Sequence, residues 1–154
     1  PYVSDVVSSS SVPIAILPAI VFVVAAFLSF STGTAWGTFG ILIPIVVPIC
    51  ENVDISILSI MLAATLAGSV FGDHCSPISD TTIMASAGAQ CDHVNHVSTQ
   101  LPYAITCAVI SGITYLVAGL LVHFGAPGVL ALPVGIVMML GTLLFIKRRN
   151  MTKA

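Results

Sequence analysis

The chain has 154 residues, 57% of them hydrophobic and only 6% charged, with a formal net charge of −2. A soluble domain carries about a quarter charged residues, so this composition excludes an ordinary soluble fold and makes lipid the main solvent. The basic residues Lys147, Arg148, Arg149 and Lys153 all sit at the C-terminal end, which leaves no basic surface for nucleic acid.

Residues 1–11, PYVSDVVSSSS, have neither the basic start nor the early apolar run of a signal peptide. They read as a loop entering a membrane segment, and the chain as the C-terminal piece of a longer protein. Residues 12–50 are apolar and would measure about 58 Å as one helix, too long for a single straight span. Their middle, STGTAWGTFG, carries glycines and the hydroxyl residues Ser31, Thr32, Thr34 and Thr38 around Trp36. Glu51 and Asp54 form a charged, solvated connection. Residues 55–90 again exceed one span, and FGDHCSPISDTT at 71–82 interrupts them. Both long regions are expected to be broken or re-entrant, with the second unwound around Gly72 to Pro77.

Residues 91–100 read as a loop. Residues 101–122 form a transmembrane helix of about 33 Å, with Ser98 or Thr99 as its cap and Pro102 in its first turn. HFGAPG makes a turn that places His123 at the interface. Residues 129–146 form a second span, and 147–154 a basic tail. Basic residues favour the cytoplasmic side, so the tail and the 91–100 loop are expected there. The fold class is therefore an all-α integral membrane protein with two discontinuous segments. Cys50, Cys75, Cys91 and Cys107 lack zinc or CxxC spacing and read as small buried hydrophobes.

Backbone freed from a helix at membrane depth must be buried in protein or line a wet cavity. Broken helices bring their termini and carbonyls to that depth, where they hold ions. A carboxylate there costs at least about 2.5–3.5 kcal/mol on insertion scales, so Asp73 and Asp80 need a reason to be there. Asp73, Asp80, Ser76, Ser79, Thr81 and Thr82 supply the hard oxygens a Na+ ion prefers, with Na+ expected at the two aspartates. Ser31, Thr32, Thr34, Trp36 and Thr38 can support that site if the two interruptions meet. A carboxylate in low dielectric can hold a proton and exchange it for a cation, which is the core of a cation/proton antiporter. His74 can relay protons or orient a carboxylate. DHVNH at 92–96 offers a weak metal pattern, a pH-responsive loop or a solvated loop. An aspartyl hydrolase and a non-transporting scaffold subunit are the readings from other classes. The hydroxyl-rich surroundings fit ion coordination better than catalysis, and a scaffold would not need two intramembrane carboxylates.

STGTAWGTFGILIPI and FGDHCSPISDTTIMASAGAQCDHVNHVSTQLPYA resemble the NhaC-type Na+/H+ antiporter family. The resemblance implies a bacterial or archaeal inner-membrane secondary transporter, not an enzyme, with no cofactor beyond the transported Na+ and H+. It implies two repeats of opposite topology, of which this chain is the C-terminal one. It carries ion binding over to Asp73 and Asp80. Relatives in the family exchange dicarboxylate for lactate or carry amino acids, so exchange of a small organic solute stands as the alternative. Expected partners are lipid and the N-terminal half of the same transporter, with a homodimer left open.

Overall fold

The computed structural model describes residues 13–50 and 55–151. The expected entry loop at 1–11, the Glu51–Asp54 connection and the end of the basic tail lie outside the described residues. All regular structure among the described residues is helical. A short 3-10 turn, Ile14–Ile16, leads into α1 (Leu17–Thr32), followed by α2 (Ala35–Ile49), α3 (Ile55–Cys75), α4 (Asp80–Gly88), α5 (His93–His123) and α6 (Ala131–Met151). Among the described residues, four helical stretches are long and apolar enough to cross a membrane: Ile14–Thr32, Ile55–Cys75, His93–His123 and Gly128–Arg149.

α3 is the central element and packs against α1, α2 and α5, most extensively against α1. The closeness comes from Gly68 and Gly72, spaced one helical turn apart. A Cβ on Gly68 would strike the Phe22 carbonyl, and one on Gly72 the Ala26 carbonyl. Small residues at this spacing let helix backbones approach where lipid supplies no hydrophobic drive. Ser29 extends the seam by donating to the Ser69 carbonyl at 2.6 Å. At the other end of α3, Leu17, Val46, Cys50, Ile57 and Met61 form a buried apolar cluster. α6 contacts α5 and leaves most of its apolar surface exposed.

The interruption in the first long region is narrower than the sequence implies. Ser31 and Thr32 end α1, and Trp36 to Gly40 lie in α2. Only Gly33 and Thr34 separate the two helices. Gly33 has φ +68, and a Cβ there would lie 2.8 Å from the Ile78 carbonyl oxygen. Both the left-handed backbone and the close approach require glycine. Thr34 caps α2, accepting from the Gly37 N–H.

In the second region the helix runs on to Cys75, so Gly72, Asp73 and His74 are helical rather than unwound. Gly72 is a packing glycine, not a breaker. The helix stops where Pro77 pushes the residue before it out of the α region, and Ser79 then caps α4. The break between α3 and α4 is confined to Ser76–Ser79.

α5 corrects two further expectations. Residues 91–100 are not a loop throughout, because the helix starts at His93. Asp92 caps it by accepting from the Asn95 N–H at 2.8 Å, which neither Ser98 nor Thr99 does. Pro102 therefore lies inside the helix, a position that membrane helices tolerate. The basic residues Lys147 to Arg149 continue α6 instead of ending it, as good helix formers that also suit a helix C-terminus. All four cysteines are free. Cys50 and Cys75 are buried as read, whereas Cys91 and Cys107 are exposed.

Candidate functional site

The two interruptions meet. Ile78 of the second lies against Gly33 of the first, and Ser76 donates to the Phe30 carbonyl at 2.8 Å. This contact ties the α3–α4 turn to the last turn of α1.

Asp73 is buried, only 5% exposed, on the last turn of α3. Its carboxylate is held by the start of the next helix. Ser79 Oγ donates to Oδ1 at 2.8 Å, and Thr81 Oγ1 donates to Oδ2 at 3.0 Å. The two hydroxyls also lie 2.8 Å from each other. The Thr82 N–H points at Ser79 Oγ at 3.4 Å, the usual N-cap contact. Four oxygens thus close into a ring on the N-terminal end of α4, where backbone donors favour negative charge.

Proton counting defines what the ring can hold. It has three contacts, and its two hydroxyls own one proton each. With Asp73 ionised, both protons go to the carboxylate, and the Ser79–Thr81 contact brings lone pairs together. A proton on Asp73 completes the circle, with the carboxyl donating to Ser79, Ser79 to Thr81 and Thr81 back to Asp73. A hard cation among the same oxygens relieves the same repulsion. The donor set is all oxygen, the kind of ligand a hard cation prefers.

Asp80 stands apart from this ring. It is exposed, and its Oδ1 accepts from the Thr81 N–H at 2.7 Å. Thr81 is the residue that touches both carboxylates, one through its main chain and the other through its hydroxyl. Thr82 is buried through the first turn of α4 and Ser76 in the turn before it. The His74 side chain makes no hydrogen bond to either carboxylate. Its Nδ1 donates to the Val70 carbonyl at 3.0 Å, and the ring lines a mostly apolar groove of about 630 Å3 with Phe22, Phe71 and Cys107.

The residues of the first interruption serve mainly to close α1 and open α2. Ser31 donates to the Phe27 carbonyl and Thr32 to the Leu28 carbonyl, both at 2.9 Å. Thr38 is fully buried and donates to the Thr34 carbonyl, with Thr32 Oγ1 at 3.5 Å from its hydroxyl. Trp36 is 82% exposed and meets Phe39 edge-on. No group of three or more His, Cys, Asp or Glu side chains placed to hold a metal ion occurs among the described residues. Asp92 caps α5, while His93 bonds the Pro77 carbonyl and Ser86.

Gln100 was missed in the sequence, and His93, read there only as part of the 92–96 pattern, was not tied to the site. Gln100 donates to the His74 carbonyl at the end of α3. The signal that could have found them is their spacing of seven on a helix, which puts both polar groups on one face.

This geometry coincides with a family assignment. Residues 1–120 match the Na+/H+ antiporter family. The chain belongs to the Na+/H+ antiporter family. Several curated proteins are similar to this antiporter-family chain. An uncharacterized protein of Haemophilus influenzae is 47% identical over 139 residues, covering 90% of this chain and 26% of its own length. The malate-2H(+)/Na(+)-lactate antiporter of Bacillus subtilis is 36% identical over 97 residues, covering 63% of this chain and 20% of its own. The arginine/ornithine antiporter ArcD of Halobacterium salinarum is 37% identical over 112 residues, covering 70% and 23%. The chain thus spans about a quarter of the length of these relatives. No solved structure matches it. Family membership and the four apolar helices among the described residues mark it as a multi-pass membrane protein.

Proposed function

We propose that this chain is part of a secondary transporter that exchanges Na+ for H+ across the cytoplasmic membrane of a bacterium or archaeon. The observation that carries this reading is the buried Asp73 carboxylate, held by the Ser79 and Thr81 hydroxyls. Proton and Na+ then exclude one another at a single group, and that exclusion couples their movements. Asp80 supplies a second negative charge at the entrance to α4 and raises the local cation concentration. Thr82 and Ser76 hold the turn. The membrane potential is a sufficient drive, since one charge crossing 100 mV is worth about 2.3 kcal/mol.

In this reading α1–α2 and α3–α4 are two discontinuous membrane segments whose interruptions meet where Ser76 bonds the last turn of α1. Together they form one half of an inverted-repeat fold completed by an N-terminal half of the same protein. Ser31, Thr32, Thr34 and Thr38 then act by shaping the facing turn. The C-terminal basic residues lie in the cytoplasm.

A second reading has its own support in the names of the Bacillus and Halobacterium relatives. A small organic acid or amino acid would then be exchanged with cation coupling at the same ring. Proteoliposomes containing the full-length protein decide between the two. Na+-driven proton movement with no added organic solute supports the first, and a strict requirement for malate, lactate or arginine supports the second.

A further inference from the structure

The α3–α4 turn is gripped from a third side by two residues of α5. The Gln100 amide donates to the His74 carbonyl, one of the orphan acceptors at a helix C-terminus. His93 Nε2 lies 2.7 Å from the Pro77 carbonyl oxygen. A carbonyl can only accept, so Nε2 carries the proton. Its Nδ1 lies 3.0 Å from Ser86 Oγ, and Ser86 is in α4. One imidazole therefore joins three elements: the turn, α4 and α5. Pro77 is two residues from Ser79, and Ser79 is both the cap of α4 and a donor to Asp73.

We propose that His93 is a positioning residue for the transport site. Its hydrogen bond to Pro77 fixes the Ser76–Ser79 turn so that Ser79 and Thr81 stay on Asp73. It touches neither the ion nor the carboxylate. The α1 contact from Ser76 holds one side of the turn, and His93 with Gln100 holds the other. This rests on Asp73 being the ion site, and it adds that α5 sets the affinity of that site. Loss of the His93 bond leaves the four oxygens present but their spacing free to vary. Cation affinity then falls more than the maximal rate does.

The test uses the full-length protein with His93→Ala and His93→Gln. Glutamine places an amide N–H near the position of Nε2 and keeps the donor to Pro77. Should His93→Ala not fold, His93→Asn, too short to reach Pro77, takes its place. Backbone hydrogen exchange over residues 76–82 reads the latch without any ion. Exchange is expected to quicken about tenfold in the Ala variant and to stay within about threefold of wild type in the Gln variant. In proteoliposomes, the Na+ concentration for half-maximal transport should rise about tenfold or more in Ala with the maximal rate retained, and Gln should restore it. Unchanged exchange in the Ala variant overturns the proposal. So does a fall in maximal rate with half-saturation unmoved, which is the mark of a merely structural role. If wild type shows no Na+-dependent transport, the ion-site reading falls, while exchange still decides whether His93 holds the turn.

Discussion

Ser79 performs two tasks with one hydroxyl group: it caps α4 and donates to Asp73. Ser79→Ala removes both. Loss of the cap costs about 1 kcal/mol, readable as a lower unfolding midpoint in detergent, and Na+ affinity should fall about tenfold. Ser79→Thr keeps the oxygen and should restore most of each. Asp80 is a different case from Asp73. Asp80→Asn retains an oxygen to accept from the Thr81 N–H, so α4 should still begin where it does. It removes only an exposed charge, and transport by this variant should exceed that of Asp73→Asn. Equal loss in the two variants would mean that Asp80 shares the cation, contrary to its separation from the ring. Sequence reasoning placed the two aspartates together because both lie in one polar stretch. It could not see that one faces the bundle and the other does not, since that depends on where the helix ends.

At the scale of elements, the seam between α1 and α3 sets where Asp73 sits. Gly72→Ala would drive a methyl group into the Ala26 carbonyl. Overpacking of this kind costs about 1–3 kcal/mol, and Asp73 is the next residue. Thermal unfolding of Gly72→Ala should begin at lower temperature, whereas Gly88→Ala, where a Cβ meets open space, should be neutral or stabilising. An unmoved midpoint for Gly72→Ala would contradict the close seam. The excess length of residues 12–50 and 55–90 was legible as a sign of interruption, and the turn at Pro77 was legible from proline chemistry. The extent of each break was not. Gly72 signals unwinding in sequence, yet its neighbour across the seam is what demands glycine. Asp92 is an ordinary cap residue, but Pro102 gave a competing start for α5. A polar stretch before an apolar span looks like a loop unless its cap is recognised.

At the scale of the whole molecule, charge placement predicts orientation. The basic end of α6 should lie in the cytoplasm. A reporter fused after residue 154 that reads cytoplasmic in intact cells supports this, and an external reading reverses the orientation of every span. Apolar composition made the membrane class legible from the start. The arrangement around α3 was not, because it is built from small-residue contacts that no single helix displays.

The most direct test of the account is transport by Asp73→Asn in proteoliposomes containing the full-length protein. Asparagine keeps the size of the side chain and one acceptor, but it can neither release a proton nor offset a bound cation. An uncompensated cation in low dielectric is unfavourable by several kcal/mol. Na+-driven proton movement should vanish while the protein remains folded and inserted. Normal Na+-driven proton movement by folded Asp73→Asn would contradict the claim that one buried carboxylate holds proton and cation in turn.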